Sequence, residues 1–293
     1  MSELNLVIIS QNFMNAGNTD QKKLQQMLAS HKKVDYRIYF TQEDIGPKRS
    51  DSIQSTLIPR SYPTFLRHFN VTIALQPQPG ATWKAQCIKK GNISLSPRKN
   101  PVLKWFFSVM KDWFQLSWKG AAWMVVEFSS PNNKTLRVLF CSMHLPVLNN
   151  EPDLGALYRR ECLHHVLNNL NIIQRDNNCQ AVFYGGDLNI RSTEEFSTLF
   201  NSGSDSLPNN FWHQELQSMN KDPPSFKAKS LNCNSDRQWI TQKKSTPDHI
   251  IYYGGKDQSK YQLEHNFYPP LCLVEPSDHN GRVSYFTLKK KKT

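Results

Sequence analysis

The stretch Ala181-Val182-Phe183-Tyr184-Gly185-Gly186-Asp187-Leu188-Asn189 joins a run of strand-forming residues, 181–184, directly to a compact polar cluster. Aromatic and β-branched side chains favour a pleated, half-buried surface, and the glycines and Asp187 favour its end. The same order recurs along the chain. Residues 4–9 precede Ser10-Gln11-Asn12, 36–40 precede Thr41-Gln42-Glu43-Asp44, and the strand predicted at 135–142 leads into Ser142-Met143-His144-Leu145-Pro146. Near the C-terminus, Pro247-Asp248-His249 opens a strand predicted at 248–253, and Ser277-Asp278-His279-Asn280 precedes one at 282–288. Further strands are predicted at 84–88 and 121–128. A sheet gathers the ends of its strands, so it can deliver such clusters to one place.

Helices interrupt the strands at intervals. Residues 20–30 carry Leu24, Met27 and Leu28 on one face, and 153–174 carry Leu163, Val166, Leu167, Leu170 and Ile173 at helical spacing. A shorter helix is expected from Ser192, where Ser-Thr-Glu-Glu has the form of a capping box with Glu195. The aromatic segment 101–118 repeats Leu103, Phe106, Phe107, Met110 and Phe114 at helical spacing, which reads as a core-facing helix rather than a membrane anchor. No internal repeat or long linker divides the chain. Two β-sheets packed face to face with helices outside is the economical architecture. Residues 1–288 are therefore expected to form one domain, with 289–293 as a basic C-terminal tail that could attract anionic membrane.

Composition bounds the function classes. With 38% hydrophobic residues in 293, the chain can bury a sizeable core, so general disorder is excluded. No uncharged run approaches the ~20 residues of a membrane helix, and Glu3 in the first apolar stretch does not suit a signal peptide. A cytoplasmic protein, peripheral at anionic membranes, is expected. The six cysteines are scattered without a C-x-x-C pair and read as reduced, mostly buried thiols. Cys141 reads as buried strand filler, because nothing near it in sequence would lower its pKa. His164 and His165, adjacent on the long helix, read as structural. Lys and Arg number 36 against 24 Asp and Glu, a net +12 that favours polyanionic partners.

The clusters supply carboxylates, carboxamides and imidazoles. There is no G-x-S-x-G, no phosphate-binding P-loop and no G-x-G-x-x-G. Acidic and amide oxygens suit a hard cation such as Mg²⁺, which is held by only one or two carboxylates and keeps several waters. A strongly basic protein with such a site points to phosphate-ester hydrolysis by metal-activated water.

In order and spacing, Asn12, Gln42-Glu43, Ser142 to Leu145, Gly186 to Asn189 and Ser277 to Asn280 resemble the endonuclease/exonuclease/phosphatase superfamily. The resemblance spans residues 4–288. It implies a four-layered α/β sandwich, with two largely antiparallel sheets flanked by helices, and hydrolysis of phosphate esters with Mg²⁺ or Mn²⁺. Finer features resemble the inositol polyphosphate 5-phosphatase branch. Phe183 to Arg191 is similar to its W-x-G-D-L-N-Y-R, Pro224-Ser225-Phe226-Lys227 to its P-T-Y-K, Lys243 to Ile250 to its K-x-R-x-P-x-W-C-D-R-I, and Lys119-Gly120-Ala121 to the lysine-glycine motif that opens its central strand. Three departures stand out: the Trp-Cys pair before Asp248 is absent, His249 replaces an arginine, and Phe226 replaces a tyrosine.

Carried over residue by residue, the resemblance implies metal ligation by Glu43 and Asn12, with Asp278 at the metal. Asp187 and Asn189 would orient and deprotonate the attacking water, and His279 with Asp248 would form an imidazole–carboxylate dyad. His144 would hydrogen-bond the scissile phosphate. Lys227 and Lys243, with Lys244 as the alternative by one residue, would hold a 4-phosphate; Lys119 and Arg191 are further substrate contacts. The implied substrate is a phosphoinositide or inositol polyphosphate losing its 5-phosphate, and the implied protein a monomer. A DNA or RNA endonuclease, a sphingomyelinase-like phosphodiesterase and a non-catalytic polyanion-binding module are the alternatives, since positive charge reports polyanions without naming them.

Overall fold

The computed structural model describes residues 3–12, 18–19, 34–42, 71–95, 119–132, 134–146, 152–190, 214–215, 248–254, 261–267, 274–275 and 282–290. Two sheets dominate. The five-stranded sheet runs in the order β11 (Tyr261–Phe267), β13 (Arg282–Lys290), β1 (Leu4–Asn12), β3 (Tyr36–Gln42) and β4 (Val71–Pro77). The six-stranded sheet runs β5 (Lys84–Ser94), β6 (Gly120–Ser129), β7 (Thr135–His144), β8 (Ala181–Asp187), β10 (Asp248–Gly254) and β9 (Gln214–Glu215). A small ladder pairs β2 (Asn18–Thr19) with β12 (Val274–Glu275). Each large sheet is antiparallel except for one parallel pair, β1 with β3 and β7 with β8.

Alternation sorts the side chains into layers. In the six-stranded sheet, Ala122, Met124, Val126, Val138, Phe140, Ala181 and Phe183 meet Leu4, Leu6, Ile8, Ile38 and Phe40 of the other sheet. The intervening residues, among them Trp123, Val125, Leu139, Cys141, Val182 and Tyr184, turn to helix α1 (Pro152–Asp176). That helix presents the predicted Leu163, Val166, Leu167 and Leu170, with Ile173 packed at the margin, and extends the stripe to Tyr158 and Cys162. Pro152 fits the first helical position, and Asn178 ends the helix at φ 50, where an asparagine tolerates the left-handed turn. Val7, Ile9, Tyr39 and Ala74, on the far face of the five-stranded sheet, are buried as well, so both sheets are covered on both sides. The four-layered sandwich is thus the observed architecture.

A rib of aromatics stitches the sheets together. Tyr36 meets Phe128 edge-on with centroids 5.2 Å apart, Phe140 stacks on Phe183 at 5.8 Å, and Phe183 tilts against Phe286 at 4.8 Å. Each such pair adds about 0.5–1.5 kcal/mol beyond the area it buries.

Three expectations change. The predicted strands stop at 9, 40, 142 and 184, whereas β1, β3, β7 and β8 run on through the polar residues to Asn12, Gln42, His144 and Asp187. Strand β5 continues past Ile88 to Ser94, with a register shift between Cys87 and Lys89 that breaks its alternation. The basic tail begins later than expected: Lys289 and Lys290 are strand residues of β13, and Lys289 pairs with Glu3 at 3.4 Å. The helices expected at 20–30, at 101–118 and from Ser192 lie outside the described residues.

At the end of the sandwich where β1 begins, the fully buried Asp35 ties two segments together. Its Oδ2 accepts from the Asn5 amide at 2.9 Å, and its Oδ1 accepts from the Thr82 amide at 2.9 Å and the Thr82 hydroxyl at 3.1 Å. Asp35→Ala leaves the buried Asn5 donor without its acceptor, so a loss of about 2–4 kcal/mol is expected from the urea midpoint.

Candidate active site

Polar residues take over the inner face of both sheets where β1, β3, β7 and β8 end. Along β1 the inward positions read Leu4, Leu6, Ile8, then Ser10 and Asn12; along β3 they read Tyr36, Ile38, Phe40, then Gln42. The facing strands change likewise, from Val138 and Phe140 to Ser142 and His144, and from Ala181 and Phe183 to Gly185 and Asp187. The inter-sheet core thus carries a polar cap. One continuous pairing row crosses the six-stranded sheet there, from Ser94 through Gly120, His144 and Asp187 to Asp248.

Asp187 is the hub of the cap, only 2% exposed. Its Oδ2 accepts a 2.8 Å hydrogen bond from Asn12 Nδ2 across the sandwich, and its Oδ1 accepts one of 2.9 Å from the Asn189 amide. His144 Nε2 lies 3.3 Å from Oδ2 and the ring is buried. Lys119 Nζ approaches the same ring, 3.2 Å from Nδ1 and in direct contact with Nε2. Asn189 sits at φ 52 and donates from Nδ2 to the Leu145 carbonyl at 2.8 Å, while the Leu145 amide donates to the Asp187 carbonyl at 2.9 Å. Backbone and side chain together clamp the turn after Asp187.

The glycine before it has a geometric reason. Gly186 takes φ +122, and a Cβ there would stand 2.2 Å from the Met143 carbonyl oxygen and 2.7 Å from Gln42 Nε2. Gln42 lies over that glycine and donates to Ser142 Oγ at 3.1 Å. Gly185-Gly186-Asp187, which as a sequence also suits a turn, is therefore strand, and its second glycine lets β3 close over β8.

The donor set fits a hard cation. Gln42 Oε1 is buried without a hydrogen-bond partner, and it stands with the Asp187 carboxylate and the Asn12 carboxamide in an oxygen-rich cap. A hard cation such as Mg²⁺ needs only one or two carboxylates beside such oxygens. The structure brings Asn12, His144, Asp187, Asn189 and Lys119 together, and Asp248 occupies the register position opposite Asp187. Glu43, Asp278, His279, Lys227, Lys243, Lys244 and Arg191 lie outside the described residues. Gln42 contributes more than its sequence context suggested, and its only signal was adjacency to Glu43.

Other titratable groups lie on the helix-covered side of the six-stranded sheet. Cys141 faces the helix side, where burial pushes its thiol well above its ordinary range. Burial likewise pushes the Cys179 thiol up to about 12 and lowers the pKa of His164 on α1.

No protein-family pattern and no curated protein matches the chain. Solved structures do. The inositol polyphosphate 5-phosphatase domain of SPsynaptojanin, in complex with inositol (1,4)-bisphosphate and calcium, aligns with a TM-score of 0.61 at 15% identity over 99% of this chain and 86% of its own. The chain has the endonuclease/exonuclease/phosphatase fold. Truncated Caenorhabditis elegans TDP2 carries the same fold, with a TM-score of 0.53 at 15% identity over 96% of this chain and 97% of its own. A Cimex nitrophorin, as its ferrous NO complex, is also similar, with a TM-score of 0.59 at 15% identity over 99% of both chains. This sandwich occurs in a 5-phosphatase domain and in a nitrophorin that binds NO, so the fold is shared and the chemistry belongs to the site.

Proposed function

We propose that the chain is a Mg²⁺-dependent phosphomonoesterase that removes the 5-phosphate from phosphoinositides or inositol polyphosphates. One observation carries the reading: on a phosphoesterase-bearing fold, a buried carboxylate is gripped through both oxygens by Asn12 and Asn189, with His144 and Lys119 beside it. With both oxygens fixed, Asp187 can accept a proton from an attacking water in a constant direction. The cationic Lys119 and the His144 ring stand where negative charge would grow on the phosphoryl group. Glu43 and Asn12, with the oxygen-rich cap around Gln42, would hold the Mg²⁺, which supplies neutralisation of phosphoryl charge and a more acidic water. Asp248 and His279 would add a carboxylate-oriented imidazole, Asp278 a further group at the metal, and Arg191 a contact to the anionic substrate.

Specificity rests on Lys227 and Lys243, or Lys244 in its place, holding a neighbouring 4-phosphate. That second anchor orients the ring, and its binding energy favours the scissile ester's approach to Asp187. Phe226 offers no hydroxyl to that phosphate, so the preference for a 4,5-bisphosphate is expected to be modest. The test compares kcat/KM for inositol lipids with and without the 4-phosphate, in wild type and Lys227→Ala. The variant is expected to lose the preference and keep turnover of the simpler substrate; an intact preference contradicts the role of Lys227.

Membrane contact belongs to the same reading, because phosphoinositides are presented on membranes. No helix among the described residues is long and apolar enough to cross one. The net +12 supports attraction to an anionic surface.

A further inference from the structure

The six-stranded sheet ends on β5, which pairs with β6 alone among the described strands. This edge carries an unusual side-chain set. Lys84, Lys89 and Lys90 are exposed, and none has a carboxylate partner among the described residues. Ile88, 38% exposed, is one of two exposed large apolar side chains among the described residues. It falls at the register shift between Cys87 and Lys89, where it has no opposite number on β6. The pairing then sets Lys89 opposite Val125, on the helix-covered face, and Lys90 opposite Met124, on the inter-sheet face. The two lysines straddle the edge with Ile88 beside them.

Lysines and a bulge also keep sheet edges from pairing with other chains, and that role explains the charges. It gives no reason for an exposed isoleucine among them. We propose that the β5 edge docks on an anionic membrane, with Lys84, Lys89 and Lys90 at the headgroups and Ile88 in the apolar margin beneath them. Such a surface takes both halves of the set, basic side chains for the phosphates and an apolar one for the acyl boundary. A nucleic-acid backbone offers the lysines a partner and Ile88 none. Four residues on from Lys90, about 13 Å along the strand, Ser94 joins the pairing row that contains His144 and Asp187, so a docked edge lies beside the catalytic cap.

The test is co-sedimentation of the full chain with phosphatidylcholine vesicles, with and without phosphatidylserine and free of inositol lipid. It is therefore independent of the substrate reading. Each lysine near an anionic leaflet is worth about fivefold in partitioning, so Lys89→Glu/Lys90→Glu is expected to weaken serine-lipid binding by about thirtyfold or more. Ile88→Ser is expected to weaken it at both low and high salt, and Lys134→Glu, on the exposed β6–β7 turn, to leave it nearly unchanged. Hydrolysis of a soluble inositol phosphate by these variants should stay at the wild-type level. If Lys134→Glu costs as much per charge as the edge pair, only net charge is at work and the proposal falls. It falls equally if the edge variants lose binding to duplex DNA and keep binding to vesicles.

Discussion

Asp187→Asn is expected to lower phosphate release by about 10²–10⁴-fold, the usual worth of a positioned general base. Asparagine keeps the shape and one acceptor oxygen, so the Asn12 or Asn189 donor that pairs with Oδ2 or Oδ1 can still be met and the fold should survive. Circular dichroism and the urea midpoint separate loss of chemistry from loss of structure. KM should move far less than kcat, because the carboxylate acts on water rather than on the ring phosphates. Removing Asn12 by Asn12→Ala should give a smaller loss of the same kind, since it frees one carboxylate oxygen to rotate. Unchanged turnover in Asp187→Asn would show that the buried carboxylate is structural.

Gly186→Ala is expected to damage both fold and activity. At φ +122 an L-residue is strained, which costs about 1–2 kcal/mol, and the new methyl would meet backbone rather than a yielding side-chain end. Relieving a 2.2 Å approach to the Met143 carbonyl means parting β7 from β8, with a further cost of about 1–3 kcal/mol. The shift also displaces Gln42 and the adjoining Asp187. Thermal or urea unfolding should therefore report a loss of about 2–5 kcal/mol, and the surviving folded fraction should turn over slowly. A near-native midpoint would contradict the close approach of the two strands. At Gly91, on the edge strand β5, the added methyl would meet the edge of the Trp123 ring at 2.8 Å, a side chain with more room to give.

Much of this architecture was legible in the residues. The stripe from Leu163 to Ile173 gave helix α1 to within two residues of either end, because a long amphipathic pattern outweighs local propensity. Asn12, Gln42, His144 and Asp187 lie beyond the strands that the sequence predicts, since polar residues ordinarily mark loops. They are strand residues whose alternation simply continues, and burial is possible because they meet one another across the sandwich. The strands β4 and β11 escaped notice; both are sheet edges, where one-sided pairing imposes a weaker pattern. The register shift in β5 hid its second half in the same way.

The site was legible as a set of motifs and less so as contacts. That Asn12 and Asp187, 175 residues apart, share a hydrogen bond follows from how the two sheets face each other, which no local pattern encodes. The role of Gln42 was hidden for the same reason, because Ser142 and Gly186 become its neighbours only in three dimensions. Lys119, for which its motif implies a substrate contact, also reaches the His144 ring, at the nitrogen that faces Asp187.

Phosphomonoester hydrolysis at the Asp187 cap can be measured in a parallel release assay. Inorganic phosphate is measured from a panel of inositol phosphates and phosphoinositides, with supercoiled DNA cleavage and sphingomyelin hydrolysis run alongside, in Mg²⁺ and in excess chelator. Mg²⁺-dependent release of the 5-phosphate is expected, fastest where a 4-phosphate is present, and lost in chelator. Faster nicking of DNA than hydrolysis of any inositol phosphate, or release undiminished in chelator, would contradict it.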